Sequence, residues 1–218
     1  MLEYYQKPKI TFSKQEIKDL LIATAALTIM FAFMDINIFS LIFNFSIYYF
    51  IGFLYILFEC FLVSITGFLF HELGHKFTAQ KFGCWAEFKI NYCGLLLGII
   101  MALSGFIVFF VPGAVYISGN INREKNGKIA LAGPLTNLVI SGAFGMFYFL
   151  IRFSIFYPTF IALCELFRYI AIIDTSLAVF NLIPVGILDG RKIYEWNKPL
   201  LITLIVLSII FLVLIYIF

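Results

Sequence analysis

Charge is scarce in this chain. Only 12% of its 218 residues are Asp, Glu, Lys or Arg, against about 25% in soluble domains. Apolar residues make up 63% and aromatics 19%, more hydrocarbon than a water-soluble fold of this size could hide, so a bilayer is the expected solvent. Cysteine is limited to Cys60, Cys84, Cys93 and Cys164, widely spaced and without a CxxC pair. That pattern speaks against a disulfide framework or a thiolate zinc cage, and the four read as small apolar fillers. Linkers rich in Ser, Gly or Pro are missing, as are repeats, so one domain over residues 1–218 is expected. The first 20 residues carry seven charges and lack the short basic head and cleavage site of a signal peptide, so the first helix is expected to persist. The net charge of +3 gives no reason to expect a nucleic-acid partner, because the basic residues sort by membrane side.

Several apolar segments are present. Ser13-Lys14-Gln15-Glu16 reads as a capping box opening a helix over about 16–34, with Asp35 at its far end. Residues 36–70 contain a single charge, Glu59, and are too long for one span. They divide into an aromatic-rich connection (about 36–50) and a long second helix (about 51–80). From 86 to 92 apolar and polar residues alternate, the period of a strand, and a second short strand is expected at 114–118. Between them, 94–111 is eighteen residues without a charge. Apolar segments at about 128–151, 169–188 and 200–218 complete the chain.

Lys and Arg counts test the orientation. With a cytoplasmic N-terminus and 94–111 dipping in and returning, thirteen of the fifteen basic residues face the cytoplasm and only Arg152 and Arg168 face outside. If 94–111 crossed, the cluster Arg123, Lys125 and Lys128 would move outside. The expected fold is therefore a membrane all-α bundle of five transmembrane helices, or six if 94–111 crosses. A small membrane-associated β element lies between the second and third helices. The expected location is the plasma membrane.

The chain has only two histidines, both in His71-Glu72-Leu73-Gly74-His75. At i and i+4 on a helix, both imidazoles share one face and can bind one tetrahedral metal, Zn²⁺ above all. Glu72 is placed to act as base on a metal-bound water. Two histidines and a carboxylate are costly to bury in lipid without a function. A third ligand is needed, and the candidates are Glu59, Glu165, Asp174, Asp189 and Cys93. Glu59 is twelve residues before His71 on one helix, about 18 Å along the axis, which rules it out. Depth favours Asp189, at the cytoplasmic end of its span, over Asp174.

HELGH, with Asn181-Leu182-Ile183-Pro184-Val185-Gly186-Ile187-Leu188-Asp189-Gly190, resembles the HExxH and NxxPxxxxDG pair of the site-2 protease family of intramembrane metalloproteases. Ala132-Gly133-Pro134-Leu135-Thr136-Asn137 is similar to that family's Gly-Pro-containing helix. The resemblance covers about 60–195, with a catalytic core over about 51–195. It implies one Zn²⁺ per chain held by His71, His75 and Asp189, with Glu72 as base. It also implies Asn181 as a group that positions substrate or stabilises the tetrahedral intermediate, and Asn137 as a substrate contact or an interhelical hydrogen bond. Pro184 would break its helix so that Asp189 turns toward the metal. The absence of PDZ- or CBS-type sequence resembles minimal archaeal members.

The implied activity is hydrolysis of a peptide bond in the transmembrane segment of another membrane protein, from a site opening to the cytoplasm. A helical substrate must unwind first, and the strand at 86–92, with Phe88 and Ile90, is expected to capture it by strand addition. Two alternatives stand beside this reading: a membrane protein that moves or senses zinc, and a catalytically idle relative that binds transmembrane segments. Asp174 reads as a hydrogen-bonded structural acid or one supporting the ligands.

Overall fold

Ser13 opens the first helix as its sequence predicts, its Oγ accepting from Glu16 N–H at 3.0 Å. The Glu16 carboxylate does not close a capping box; it turns inward to Lys76. The computed structural model describes residues 10–35, 46–103 and 112–218. Helix α1 (Lys14–Asp35) is followed by α2 (Ile47–Lys81), 35 residues in one apolar rod. The expected connection at 36–50 is helical from Ile47, where Ser46 caps Tyr49 N–H; residues 36–45 lie outside the described residues. At about 52 Å, α2 exceeds the hydrocarbon layer of about 30 Å.

Within α2, Ser64–Leu69 winds as a π-helix, with Phe70 N–H reaching back to Ile65 O. Such a turn leaves backbone groups out of register with the α-helical ladder. Asn137 Nδ2 donates to Gly67 O at 3.0 Å, and Thr66 Oγ1 donates to Asp174 Oδ2 at 2.8 Å. The widened turn is thus stitched to two neighbouring helices directly before the HELGH turn.

Two strands, β1 (Trp85–Ile90) and β2 (Gly113–Ser118), pair antiparallel with Trp85 opposite Ser118 and Ile90 opposite Gly113. Between them lies α3 (Tyr92–Leu103), 12 residues long; at about 18 Å it is too short to cross. Asn91 N–H also donates to Pro112 O at 2.8 Å. The chain therefore leaves and rejoins the sheet at one place, so the excursion of 94–111 begins and ends on the same side of the membrane; 104–111 lie outside the described residues.

Helix α4 (Arg123–Arg152) is capped by Asn122 and packs against α2, α5 (Ile161–Leu182) and α6 (Asp189–Trp196). Its approach to α2 is close enough that a Cβ on Gly74 would stand 2.7 Å from Thr136 Oγ1 and 2.9 Å from Ala132 O. Small residues at such crossings let membrane helices pack backbone to backbone. Helix α5 ends at Leu182, and Ile183 is extended, as the residue before a proline must be. Asn197 caps α7 (Lys198–Ile217).

The protein is a membrane all-α bundle with a two-stranded sheet. Four of the described helices, α1, α2, α4 and α7, are long and apolar enough to cross a membrane. Helix α5, the fifth expected span, has 22 residues, length enough at about 33 Å, but carries Glu165, Arg168 and Asp174. The first two pair with each other near its start, and Asp174 is fully buried against α2.

Candidate metal centre

His71 and His75 project from one face of α2, their Nε2 atoms 3.0 Å apart. Asp189, the first residue of α6, brings Oδ2 to 3.0 Å from His75 Nε2 and 3.5 Å from His71 Nε2. All three residues are buried, and among the described residues they form a cluster able to hold a metal. Four-coordinate zinc with bonds of 2.0–2.1 Å sets its ligand atoms about 3.3 Å apart, so the observed triangle fits that ion. His75 Nδ1 lies 2.7 Å from Ile129 O. A carbonyl only accepts, so Nδ1 carries the proton and Nε2 presents its lone pair to the metal position. His71 Nδ1 has no partner among the described residues. Lys192 Nζ lies 3.6 Å from the other oxygen of Asp189.

The turn after α5 makes this third ligand possible. After Leu182 the chain runs extended into Pro184, bends at Gly186 with φ +58, and restarts as a helix at Asp189. Gly190 seats that restart: a Cβ there would lie 2.1 Å from Leu182 O. The other proposed ligands lie elsewhere. Asp174 bonds Thr66, Glu165 pairs with Arg168, Glu59 bonds Tyr55, and Cys93 is exposed.

A cavity of about 150 Å³ opens on the cluster. Glu72, Asn181, Asn126 and Lys192 line it, facing Gly113, Val115 and Ile117 of β2. Glu72 receives a hydrogen bond from the Val115 backbone. Asn181 lines the wall with its Nδ2 turned to Leu177 O at 3.0 Å. Asn137 lies off the cavity, fully buried and bonded to Gly67 O.

The expected substrate edge on β1 is already occupied. Phe88 is 1% exposed and packs edge-on against Phe68. Its N–H donates to Glu16 Oε1 at 2.9 Å, and Ile90 N–H donates to Asp19 Oδ2 at 3.3 Å. Neither residue lines the cavity. Since 86, 88 and 90 turn their backbone groups away from β2, their partners Ile117, Val115 and Gly113 turn theirs away from β1. The open edge of the sheet is therefore on β2, and it is the edge that faces the metal centre.

Sequence reasoning missed Gly133, Lys192 and the β2 edge. A Cβ on Gly133 would stand 2.3 Å from His75 Nε2 and 2.6 Å from His71 Nε2, so α4 abuts the ligands only because that residue lacks a side chain. Lys192 was findable three residues after Asp189 on one helix. The β2 edge depends on strand register, which leaves no local signal.

Over 192 residues, 85% of this chain and 86% of the relative, the sequence is 40% identical to MJ0611 of Methanocaldococcus jannaschii, named as a zinc metalloprotease. It is 28% identical over 153 residues to Rip2 of Mycolicibacterium smegmatis, also named as a zinc metalloprotease, covering 62% of this chain and 57% of that one. A second Methanocaldococcus jannaschii zinc metalloprotease, MJ0392, is 31% identical over 133 residues, 61% of this chain and 32% of its own. No family model and no solved structure matches the chain. With HELGH, Asp189 and the membrane bundle around them, the chain belongs to the site-2 protease family of zinc metalloproteases.

Proposed function

We propose that this protein is an intramembrane metalloendopeptidase that hydrolyses a peptide bond within or beside the transmembrane segment of a protein substrate. The observation that carries the reading is the convergence of Asp189 on His71 and His75 beside Glu72, the last three on a helix long and apolar enough to span. His71, His75 and Asp189 would hold one Zn²⁺ per chain, which when bound acidifies a coordinated water and polarises a carbonyl. Glu72 takes a proton from the attacking water and delivers it to the departing amide nitrogen, so that one water is consumed and a carboxylate and an amine are released. Asn181, which lines the same cavity, would bond the substrate backbone once it leaves Leu177 O.

An unwound substrate needs partners for its exposed peptide groups. The β2 edge offers them: Gly113 and Ile117 present unpaired backbone groups along the cavity, Val115 between them is bonded to Glu72, and strand addition there lays the scissile bond beside Glu72. The excess of Lys and Arg on one side supports a cytoplasmic N-terminus and a site reached from the cytoplasm of the plasma membrane.

The test uses detergent-purified protein and a single-span test protein whose Leu/Ala helix is interrupted by Gly-Pro. Cleavage is expected from the native chain, is abolished by a zinc chelator, and falls by about 10²–10⁴-fold in Glu72→Gln with metal content retained. Cleavage surviving either treatment sinks the reading. Zinc movement across vesicles that tolerates Glu72→Gln would favour a transporter instead.

A further inference from the structure

Strand β1 pairs with β2 along one edge only. A bare outer edge would be open to strand pairing from the wrong side. Side chains take the place of a third strand there. Phe88 N–H donates to Glu16 Oε1 at 2.9 Å, and Ala86 O accepts from Lys76 Nζ at 2.9 Å. Lys76 Nζ also donates to both Glu16 oxygens at 2.7 Å. Carboxylate and ammonium together present one acceptor and one donor to β1, as a peptide group of a neighbouring strand does.

Glu16 and Lys76 are each 1% exposed. An ion pair so deeply desolvated is a weak source of net stability, and apolar residues of similar volume often serve as well. Its position is more telling than its energy. Lys76 directly follows the ligand His75 and lies four residues beyond Glu72, so the pair fastens β1 to the helix that carries the metal site.

We propose that Glu16 and Lys76 are positioning residues for proteolysis, closing the outer edge of β1 and holding the sheet so that the free edge of β2 meets Glu72. This rests on the reading that substrate pairs with β2. It makes strand addition one-sided, because the competing edge is filled from within. The pair then acts on substrate binding more than on the chemical step.

Two double variants separate this role from charge pairing. Glu16→Met with Lys76→Met keeps the volume but leaves Phe88 N–H without a partner and Ala86 O with only the 3.4 Å contact from Gln80 Nε2. Glu16→Gln with Lys76→Met supplies a carboxamide able to accept from the one and donate to the other. Zinc content, hydrogen exchange of the β1 amides, and KM and kcat on the Gly-Pro single-span test protein are measured for both. In the Met/Met variant zinc is retained, β1 exchange quickens, and KM rises about tenfold or more while kcat stays within about threefold. The Gln/Met variant restores both exchange and KM. Unchanged β1 exchange in Met/Met, faster exchange with unchanged KM, zinc loss in both variants, or no recovery in Gln/Met overturns the proposal. If the native chain leaves the test protein uncut, that failure belongs to the proposed function, and β1 exchange by itself still decides whether the pair closes the edge.

Discussion

Where any other amino acid would put a Cβ, Gly133 puts a hydrogen against the Nε2 atoms of His71 and His75. The 2.3 Å between its Cβ position and His75 Nε2 leaves no relaxation that keeps both imidazoles in place, since the glycine sits on α4 and the histidines on α2. Gly133→Ala is expected to lower zinc affinity by about tenfold or more, the scale seen when groups around a metal site are disturbed. The overpacking should also cost about 1–3 kcal/mol of stability. Metal analysis after dialysis and a thermal melt check both effects. Native zinc content in a folded Gly133→Ala protein would contradict the packing argument.

Among the elements, the sheet makes the sharpest demand, because its two edges have opposite fates. Proline at Phe88 removes an N–H bonded to Glu16, so loss of activity there cannot be told from loss of fold. Proline at Ile117 removes an outward-facing N–H that no β1 residue uses, whereas the Val115 N–H is already given to Glu72. Ile117→Pro is expected to retain zinc and to reduce cleavage of the single-span test protein by about tenfold or more, a single amide bond to an extended substrate being worth about 0.5–1.5 kcal/mol and its steric block more. Full activity in that variant would remove the β2 edge from substrate binding. The π-helix Ser64–Leu69 belongs to the same scale. Asn137 and Asp174, read from sequence as a substrate contact or interhelical bond and as a supporting acid, both bond it, directly before the turn that aims His71 and His75.

For the whole molecule, the pairing of Ile90 with Gly113 decides the sidedness of everything beyond it. With both ends of the excursion on one side, the loop between β2 and α4 shares a face with the turn between α2 and β1. Arg123, Lys125 and Lys128 then lie with Lys76, Lys81 and Lys89. With Cys93 replaced by serine, a cysteine at Asn120 is expected to react with an impermeant thiol reagent from the cytoplasmic face. One at Ile155, in the loop between α4 and α5 and 89% exposed, should react from the opposite face. Labelling of both from one face would overturn the five-span arrangement.

HELGH was legible in the sequence because helical period alone puts residues i and i+4 on one face. The membrane setting was legible because composition alone decides whether water can be the solvent. Asp189 stood out by depth and by its motif, but what brings it to the histidines is the break after Leu182 and the seating of Gly190 under Leu182 O. Only the tertiary structure decided which strand edge is open. The alternation at 86–92 looks the same whether its outer edge meets substrate or the side chains of Glu16 and Lys76. That depends on Glu16, 72 residues from Phe88 in sequence, beyond the reach of any local pattern. Register and long-range packing, rather than propensity, set the face this protein turns to its metal centre.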